Sequence, residues 1–193
     1  MGNLIIIAID AMLISNIVLM RFLGICPYMG VSKKQETAVG MGFAVIFVMT
    51  FATLISFIIQ KTVLVTFNLE YLQTIVFILV IASLVQMVEI VMKKIAPGLF
   101  DALGIYLPLI TTNCAILGVA LLTIQKDLNF LQALIFAVAS GIGYMIAIFI
   151  FAGMRERFEF SGIPKPFKDA SIALITAGLL SMAFFGFTGL VKI

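Results

Sequence analysis

Apolar residues run along this chain in six long stretches: Leu4–Phe22, Ala38–Gln60, Leu72–Met92, Ala102–Thr123, Phe130–Met154 and Ala170–Val191. A helix that crosses a bilayer needs about 20 such residues, so each stretch predicts a spanning helix. Polar residues gather in the short connections Ser32–Thr37, Lys61–Tyr71, Lys93–Asp101, Ile124–Asn129 and Arg155–Asp169. The first apolar run continues past Phe22 to Val31, more than a straight crossing requires, so part of it must unwind, tilt or re-enter. It lacks a basic leader and a small-residue cleavage site, and reads as a retained span rather than a signal peptide. The expected fold is an all-α polytopic membrane protein with a single transmembrane domain over 1–193.

Two stretches break the pattern and hold the only two cysteines: Gly24-Ile25-Cys26-Pro27-Tyr28-Met29-Gly30-Val31 and Thr111-Thr112-Asn113-Cys114-Ala115-Ile116-Leu117-Gly118-Val119. They share Cys-x-x-x-Gly-Val. Each carries helix-start chemistry at its cysteine. Pro27 suits the first position of a new helix, where its missing N–H is unpaired anyway. Thr111, Thr112 and Asn113 are capping-type residues just before Cys114. Spans one and four are therefore expected to be interrupted near Cys26 and Cys114.

Similar residues recur in the other spans. Gly40-Met41-Gly42-Phe43 in span two resembles Gly141-Ile142-Gly143-Tyr144 in span five. Ala82-Ser83-Leu84-Val85-Gln86-Met87 in span three resembles Ala177-Gly178-Leu179-Leu180-Ser181-Met182 in span six. The order of the matches divides the chain into repeat one, about 1–95, and repeat two, about 96–193. Three spans per repeat is an odd number, so the halves insert in opposite directions. Such an inverted repeat places its site where corresponding helices are broken. The glycine pairs by themselves mean close helix packing more often than ligand binding.

Composition narrows the class. The chain is 63% hydrophobic and 11% charged over 193 residues, more apolar surface than a soluble domain of this size can hide. No polar block is long enough to fold as a separate soluble domain. The net charge of +3 comes from basic residues scattered between spans and gives no nucleic-acid footprint. Lys33, Lys34, Lys93, Lys94, Arg155, Arg157, Lys165 and Lys168 lie in the odd connections, against Lys61, Lys126 and Lys192 on the other side. That asymmetry puts the odd connections in the cytoplasm and both termini outside. With no histidine, the commonest metal ligand and proton shuttle is missing.

The chemistry left rests on few residues. A lone membrane cysteine is usually a small hydrophobe at a helix contact. Here two occupy matching places of a repeat, each at a helix start, where the dipole favours negative charge and a thiolate. A thiolate pair at membrane depth is costly without a cation. Soft thiolates select iron–sulfur, zinc or copper(I). An iron–sulfur cluster usually takes four cysteines, so a second subunit is expected to supply two more. Gly24, Pro27, Gly30, Thr112, Asn113 and Gly118 are its expected surroundings. Asp10 and Asn16 in span one and Glu89 in span three are polar at membrane depth, and Asp10 and Glu89 are ion-coupling candidates. Each also has a structural reading: Glu89 stands four residues before Lys93 and can pair with it, and Asp10 can reach the interface. Glu156, Glu159, Arg155 and Arg157 read as a solvated loop, and the eleven methionines as core filling.

Phe-Leu-Gly-Ile-Cys-Pro-Tyr-Met-Gly-Val-Ser-Lys-Lys from Phe22 to Lys34, Leu-Gly-Ile-Tyr-Leu-Pro-Leu-Ile-Thr-Thr-Asn-Cys-Ala from Leu103 to Ala115, and Ala-Leu-Ile-Thr-Ala-Gly-Leu from Ala173 to Leu179 resemble the Rnf and Nqr family of membrane subunits. The resemblance runs from end to end. Within the family it is to the A-type subunits of the Rnf ion-translocating electron transport complex. The E subunit of the sodium-translocating NADH:quinone reductase is the nearest alternative, but its corresponding first motif lacks the Cys-Pro pair. The resemblance implies a heterodimer with a homologous E-type membrane subunit. Cys26 and Cys114 would hold a [2Fe–2S] cluster jointly with two cysteines of that partner. It also implies a complex in a bacterial or archaeal cell membrane that moves electrons between ferredoxin and NAD and pumps sodium ions or protons. Its other subunits would carry flavins and iron–sulfur clusters. Two rivals from other classes are a secondary transporter built on an inverted repeat and a scaffold with inert cysteines.

Overall fold

The computed structural model describes residues 2–32, 35–64, 70–95, 107–159 and 170–186. Among them the chain is helical, with no strand. The helices are α1 (Gly2–Ile9), α2 (Ile25–Val31), α3 (Gln35–Ile59), α4 (Gln73–Ile95), α5 (Leu107–Thr111), α6 (Cys114–Gln125), α7 (Phe130–Glu159) and α8 (Ala170–Phe185). π-helical turns extend α1 over Asp10–Ile14 and α3 over Gln60–Leu64. Four helical stretches are long and apolar enough to cross a membrane: Gln35–Thr62, Gln73–Val91, Pro108–Gln125 and Phe130–Phe158. Leu4–Ile14 and Ala170–Phe185 are shorter apolar helices. The expected start of span four at Ala102, the end of span six at Val191, and Lys33, Lys34, Lys165, Lys168 and Lys192 lie outside the described residues.

The core is the packing of α3 on α7, the most extensive helix pair in the molecule, with α6 against α3. Small residues make it close. A Cβ on Gly42 would lie 2.7 Å from Met145 Cγ, and one on Gly141 would lie 3.1 Å from the Ile46 backbone. Gly42 thus meets a residue beyond Gly141, and Gly141 meets one beyond Gly42, so the two helices cross antiparallel. Small residues let backbones approach where lipid gives no hydrophobic drive for association. Gly42 and Gly141, one from each expected pair, make this contact, and Gly143 packs instead against Met12 and Asn16.

The first apolar run is not one continuous helix from Leu4 to Phe22. Helix stops at Ile14, and the chain continues in irregular turns to Gly24 before α2 begins. Non-helical backbone at membrane depth survives only where protein satisfies its polar groups. Backbone bonds from Ser15 to Asp10, Met20 to Asn16 and Leu23 to Ile17 do part of this, and the Asn16 side chain, 1% exposed, ties the stretch to its neighbours. Its Nδ2 donates to Gly143 O at 2.8 Å and to Met12 O at 3.3 Å, and its Oδ1 accepts from the Val18 N–H at 3.1 Å. Ser181 Oγ of α8 donates to Leu19 O at 2.5 Å.

The turn between α6 and α7 is built by local chemistry. Asp127 takes a left-handed φ of 47°. Its N–H donates to Ile124 O and the next N–H, of Leu128, donates to Thr123 O. That bond pair closes the last carbonyls of α6. Gln132 Oε1 then accepts the Asn129 N–H at 3.0 Å, half of a capping box for α7.

One expectation is corrected at the other end of α7. Arg155, Glu156 and Arg157 belong to the helix, not to a solvated loop. Arg155 is half-buried and donates through Nη1 to Met29 O at 2.6 Å and to Ser32 Oγ at 2.9 Å. It is drawn in from solvent because it caps the carboxyl end of α2, which has no further turn to donate to its carbonyls.

Candidate functional site

The two interruptions meet. α2 starts after Gly24, which holds a φ of 81° that L side chains rarely adopt. α6 starts after Asn113, whose Oδ1 accepts the Ala115 N–H at 3.0 Å. This is an N-cap of the expected kind, and it makes Cys114 the first residue of its helix. The Gly24 N–H donates to Cys114 Sγ at 2.9 Å, joining the loop before one cysteine to the other cysteine. A Cβ on Gly24 would lie 3.0 Å from Ala115 Cβ, 3.0 Å from Tyr144 Cε2 and 3.1 Å from Asn113 Oδ1. The backbone can turn here only without a side chain.

Pro27 does not open its helix. Ile25 is the first residue of α2, and Pro27 sits third, buried, still within the first turn where a missing N–H removes no helical bond. Gly24 takes the capping place instead, because its left-handed φ turns the chain into α2. Cys26 is exposed on the surface of the chain and Cys114 is half-buried; both are free thiols. Gly30 is half-buried in α2. Thr112 is exposed, and its hydroxyl donates back to Pro108 O at 3.2 Å rather than capping α6. Gly118 lies one turn beyond Cys114, where an added Cβ would meet Leu23 Cδ1 at 2.6 Å.

Two residues that the sequence reading passed over complete the surroundings. Tyr144 of α7 is fully buried against Gly24 and lies within electrostatic reach of both thiols. Its hydroxyl faces Asn113 without reaching hydrogen-bond geometry. Tyr28 of α2 stacks on Phe151 at 4.2 Å, and its hydroxyl is also buried without a partner among the described residues. Asn113 Nδ2 is a third such group. A buried donor with no acceptor is costly, so the unpaired Asn113 amide and Tyr144 hydroxyl beside the Gly24 turn suit an anionic occupant. Tyr144, at the fourth position of the Gly-x-Gly motif where the other half has Phe43, was the signal available in the sequence.

The ion-coupling candidates lie elsewhere. Asp10 opens the π-helical turn of span one, accepts from Ser15 Oγ at 2.9 Å and pairs with Lys126 Nζ at 3.8 Å. Lys126 is 41% exposed, so the pair is screened and contributes about 1 kcal/mol or less. This geometry gives Asp10 a fastening role between span one and the turn after α6. Asp10→Asn in the assembled complex is expected to lower stability slightly and leave ion transport per electron unchanged. A fall in ions moved per electron, measured in proteoliposomes, would restore a coupling role. Glu89 is half-buried on α4, and no described hydrogen bond or ion pair joins it to Asp10 or to the cysteines.

Two thiols on this chain are half the ligands of an iron–sulfur cluster. Among the described residues no group of three or more His, Cys, Asp or Glu is placed to hold a metal, so those residues alone do not close a metal site. The donor set fits one edge of a cluster completed from outside, because Cys26 is exposed on the surface where a neighbouring subunit can reach it.

Comparison with known proteins gives a consistent answer over the whole chain. The family model described as "Rnf-Nqr subunit, membrane protein" matches residues 4–191. The chain is 55% identical to the A-type subunit of the Na+-translocating ferredoxin:NAD+ oxidoreductase complex of Acetobacterium woodii, over 97% of this chain and 98% of that one. It is 54% identical to the A-type subunit of the ion-translocating oxidoreductase complex of Syntrophotalea carbinolica, over 99% of each chain. It is 52% identical to the counterpart of that name in Vibrio cholerae, over the full length of both. A match of this length and identity, on a bundle of membrane-crossing helices, makes the chain a multi-pass membrane protein that belongs to the Rnf-Nqr family.

Proposed function

We propose that this chain is a membrane subunit of an ion-translocating ferredoxin:NAD oxidoreductase complex. In this reading Cys26 and Cys114 bind one edge of a [2Fe–2S] cluster, and a homologous E-type subunit supplies the other two thiolates. The observation that carries it is the Gly24 N–H on Cys114 Sγ, which ties the two cysteine motifs of distant halves into one place. The names of the relatives support the complex and favour the A type over a quinone-reductase E subunit.

The cluster, when bound, supplies one-electron transfer. The residues of this chain do the rest. Gly24 N–H lowers the electron density on Cys114 Sγ, and Asn113 fixes the start of α6 so that the positive end of its dipole lies at Cys114. Buried Tyr144 and Tyr28 keep water and lipid from the inner side. Exposed Cys26 is left for the partner's side. Other subunits of the complex are taken to carry the flavins and further iron–sulfur clusters. The chain is not catalytic alone.

Six spans in two inverted three-helix repeats remain part of this reading. The antiparallel crossing of α3 and α7 supports it, since equivalent spans of an inverted repeat must run in opposite directions. The basic residues support a cytoplasmic place for the odd connections and outer termini. A reporter fused after Ile193 is expected to be active only outside the cytoplasm; cytoplasmic activity overturns the orientation.

The cluster is tested on the purified complex. Iron and acid-labile sulfide are expected to fall by two each per complex in Cys26→Ser, with the other subunits still assembled. Full iron content and unchanged electron transfer in that variant would overturn the assignment.

A further inference from the structure

A second polar feature lies far along α3 from Gly42. Thr53, Ser56 and Gln60 stand at i, i+3 and i+7, which stacks them on one face of the helix over about 10 Å. Thr53 and Ser56 are 0% exposed and Gln60 is 7% exposed. Thr53 Oγ1, Ser56 Oγ and Gln60 Oε1 are all buried without a hydrogen-bond partner among the described residues. Buried Ser and Thr in membrane helices ordinarily return their hydroxyl to a carbonyl one turn back. The same helix shows that arrangement on either side of the row: Thr50 donates to Ile46 O at 2.8 Å and Thr62 to Ile58 O at 2.7 Å. Thr53 and Ser56 do not, so their oxygens are turned elsewhere.

The row ends in a cavity. A space of about 250 Å³ is lined by Phe57, Gln60 and Lys61 of α3 and its π-helical turn, and by Thr123, Asp127 and Asn129 around the turn after α6. Lys61 Nζ sits over the Phe57 ring at 5.1 Å, and the Asp127 carboxylate supplies a negative charge at the same mouth. The row inward from Gln60 consists of neutral oxygens and holds no basic side chain. Neutral amide and hydroxyl oxygens are ligands for a hard cation and hydrogen-bond sites for its water. A π-helical turn, which often marks functional positions, begins at Gln60.

We propose that this cavity is the mouth of a binding path for a sodium-sized monovalent cation and its water, running inward along Gln60, Ser56 and Thr53. The inference rests on the ion-translocating reading above and names a place in this chain for the ion. It is independent of Asp10, which already holds Lys126. By the orientation proposed above, the mouth opens on the outer face.

The test is thiol labelling of the complete complex from the outer side, read at each residue by mass spectrometry. The reagents are a cationic and an anionic methanethiosulfonate of equal size. Ser56→Cys is expected to react at least tenfold faster with the cationic reagent. Sodium chloride is expected to slow that reaction several-fold relative to choline chloride at equal ionic strength. Thr50→Cys, on the same helix but outside the row, should stay unlabelled, and Lys61→Cys at the mouth should react with both reagents. If Ser56→Cys does not assemble, Gln60→Cys is read in the same way. Labelling of Ser56→Cys no faster than Thr50→Cys overturns the path, as does a mouth at which Lys61→Cys is unreactive. Equal reaction with both reagents and no protection by sodium means a water-filled cavity only, and overturns the cation site. Labelling does not require the cluster, and iron measured on the same preparations reports on the cysteine reading separately.

Discussion

Cys114→Ser is expected to remove the membrane iron and leave the chain folded, whereas Cys114→Ala is expected to remove the iron and destabilise the chain as well. The iron is lost in both because a hydroxyl is a harder, poorer iron ligand than a thiolate and a methyl group is none. The difference lies in the Gly24 N–H, which donates to Cys114 Sγ at 2.9 Å in a part-buried place. Serine keeps an acceptor there. Alanine leaves the N–H without one, at a cost of about 1–3 kcal/mol. Iron content, acid-labile sulfide and denaturation of the detergent-solubilised complex separate the two effects. Equal stability of the two variants would show that the Gly24 bond does not hold the motifs together. Retained iron in Cys114→Ser would overturn the cluster itself.

A larger loss of stability is expected at Gly24. Gly24→Val forces a branched side chain into a φ of 81°, which costs about 1–2 kcal/mol before any contact is considered. The new Cβ also meets Ala115 Cβ and the Tyr144 ring at 3.0 Å, and neither can withdraw. Ala115 belongs to the first turn of α6, and Tyr144 is fully buried. Overpacking of this kind adds about 1–3 kcal/mol. Together these take about 2–5 kcal/mol from a stability that is typically about 5–15 kcal/mol. Little of the variant should be recovered in the assembled complex. Gly178→Ala is the control, because a Cβ there meets nothing within 4 Å. Normal recovery of Gly24→Val would mean that the two breaks do not meet as described.

The bundle and its broken helices were legible because lipid imposes strong rules on composition. Long apolar runs read as helices, and glycine pairs in two of them mean close packing more often than ligand binding. Asn113 was legible as a cap because its neighbours leave no other use for it. Gly24 was harder. Its glycine announces a turn, but only the approach of Ala115 and Tyr144 shows why no other residue fits. Pro27 misled by one rule of position: proline is common at a helix start, yet the whole first turn tolerates it. Arg155 misled by its charge. A basic residue among other charges reads as solvated until the carboxyl end of α2 is known to lie beside it. Thr53 and Ser56 were invisible for the opposite reason, since the sequence cannot say which hydroxyls return to their own helix.

The irregular stretch between Ile14 and Gly24 carries a consequence for how the chain is made. Its Leu19 carbonyl accepts from Ser181 and its Asn16 side chain donates to the Gly143 carbonyl, so two of its bonds wait for residues that follow it by well over a hundred positions. At about 5–20 residues per second, a ribosome reaches them roughly 6–30 s after the stretch itself has emerged. During that interval lipid offers no partner for the Leu19 carbonyl or the Asn16 amide. The first span must therefore wait in another form, either as a continuous helix or sheltered by the insertion machinery. It takes its final shape only when the last span arrives. The cysteine nearest the start of the chain is thus among the last parts of the molecule to be set in place, and in the proposed cluster reading iron is loaded only after the last span has been made.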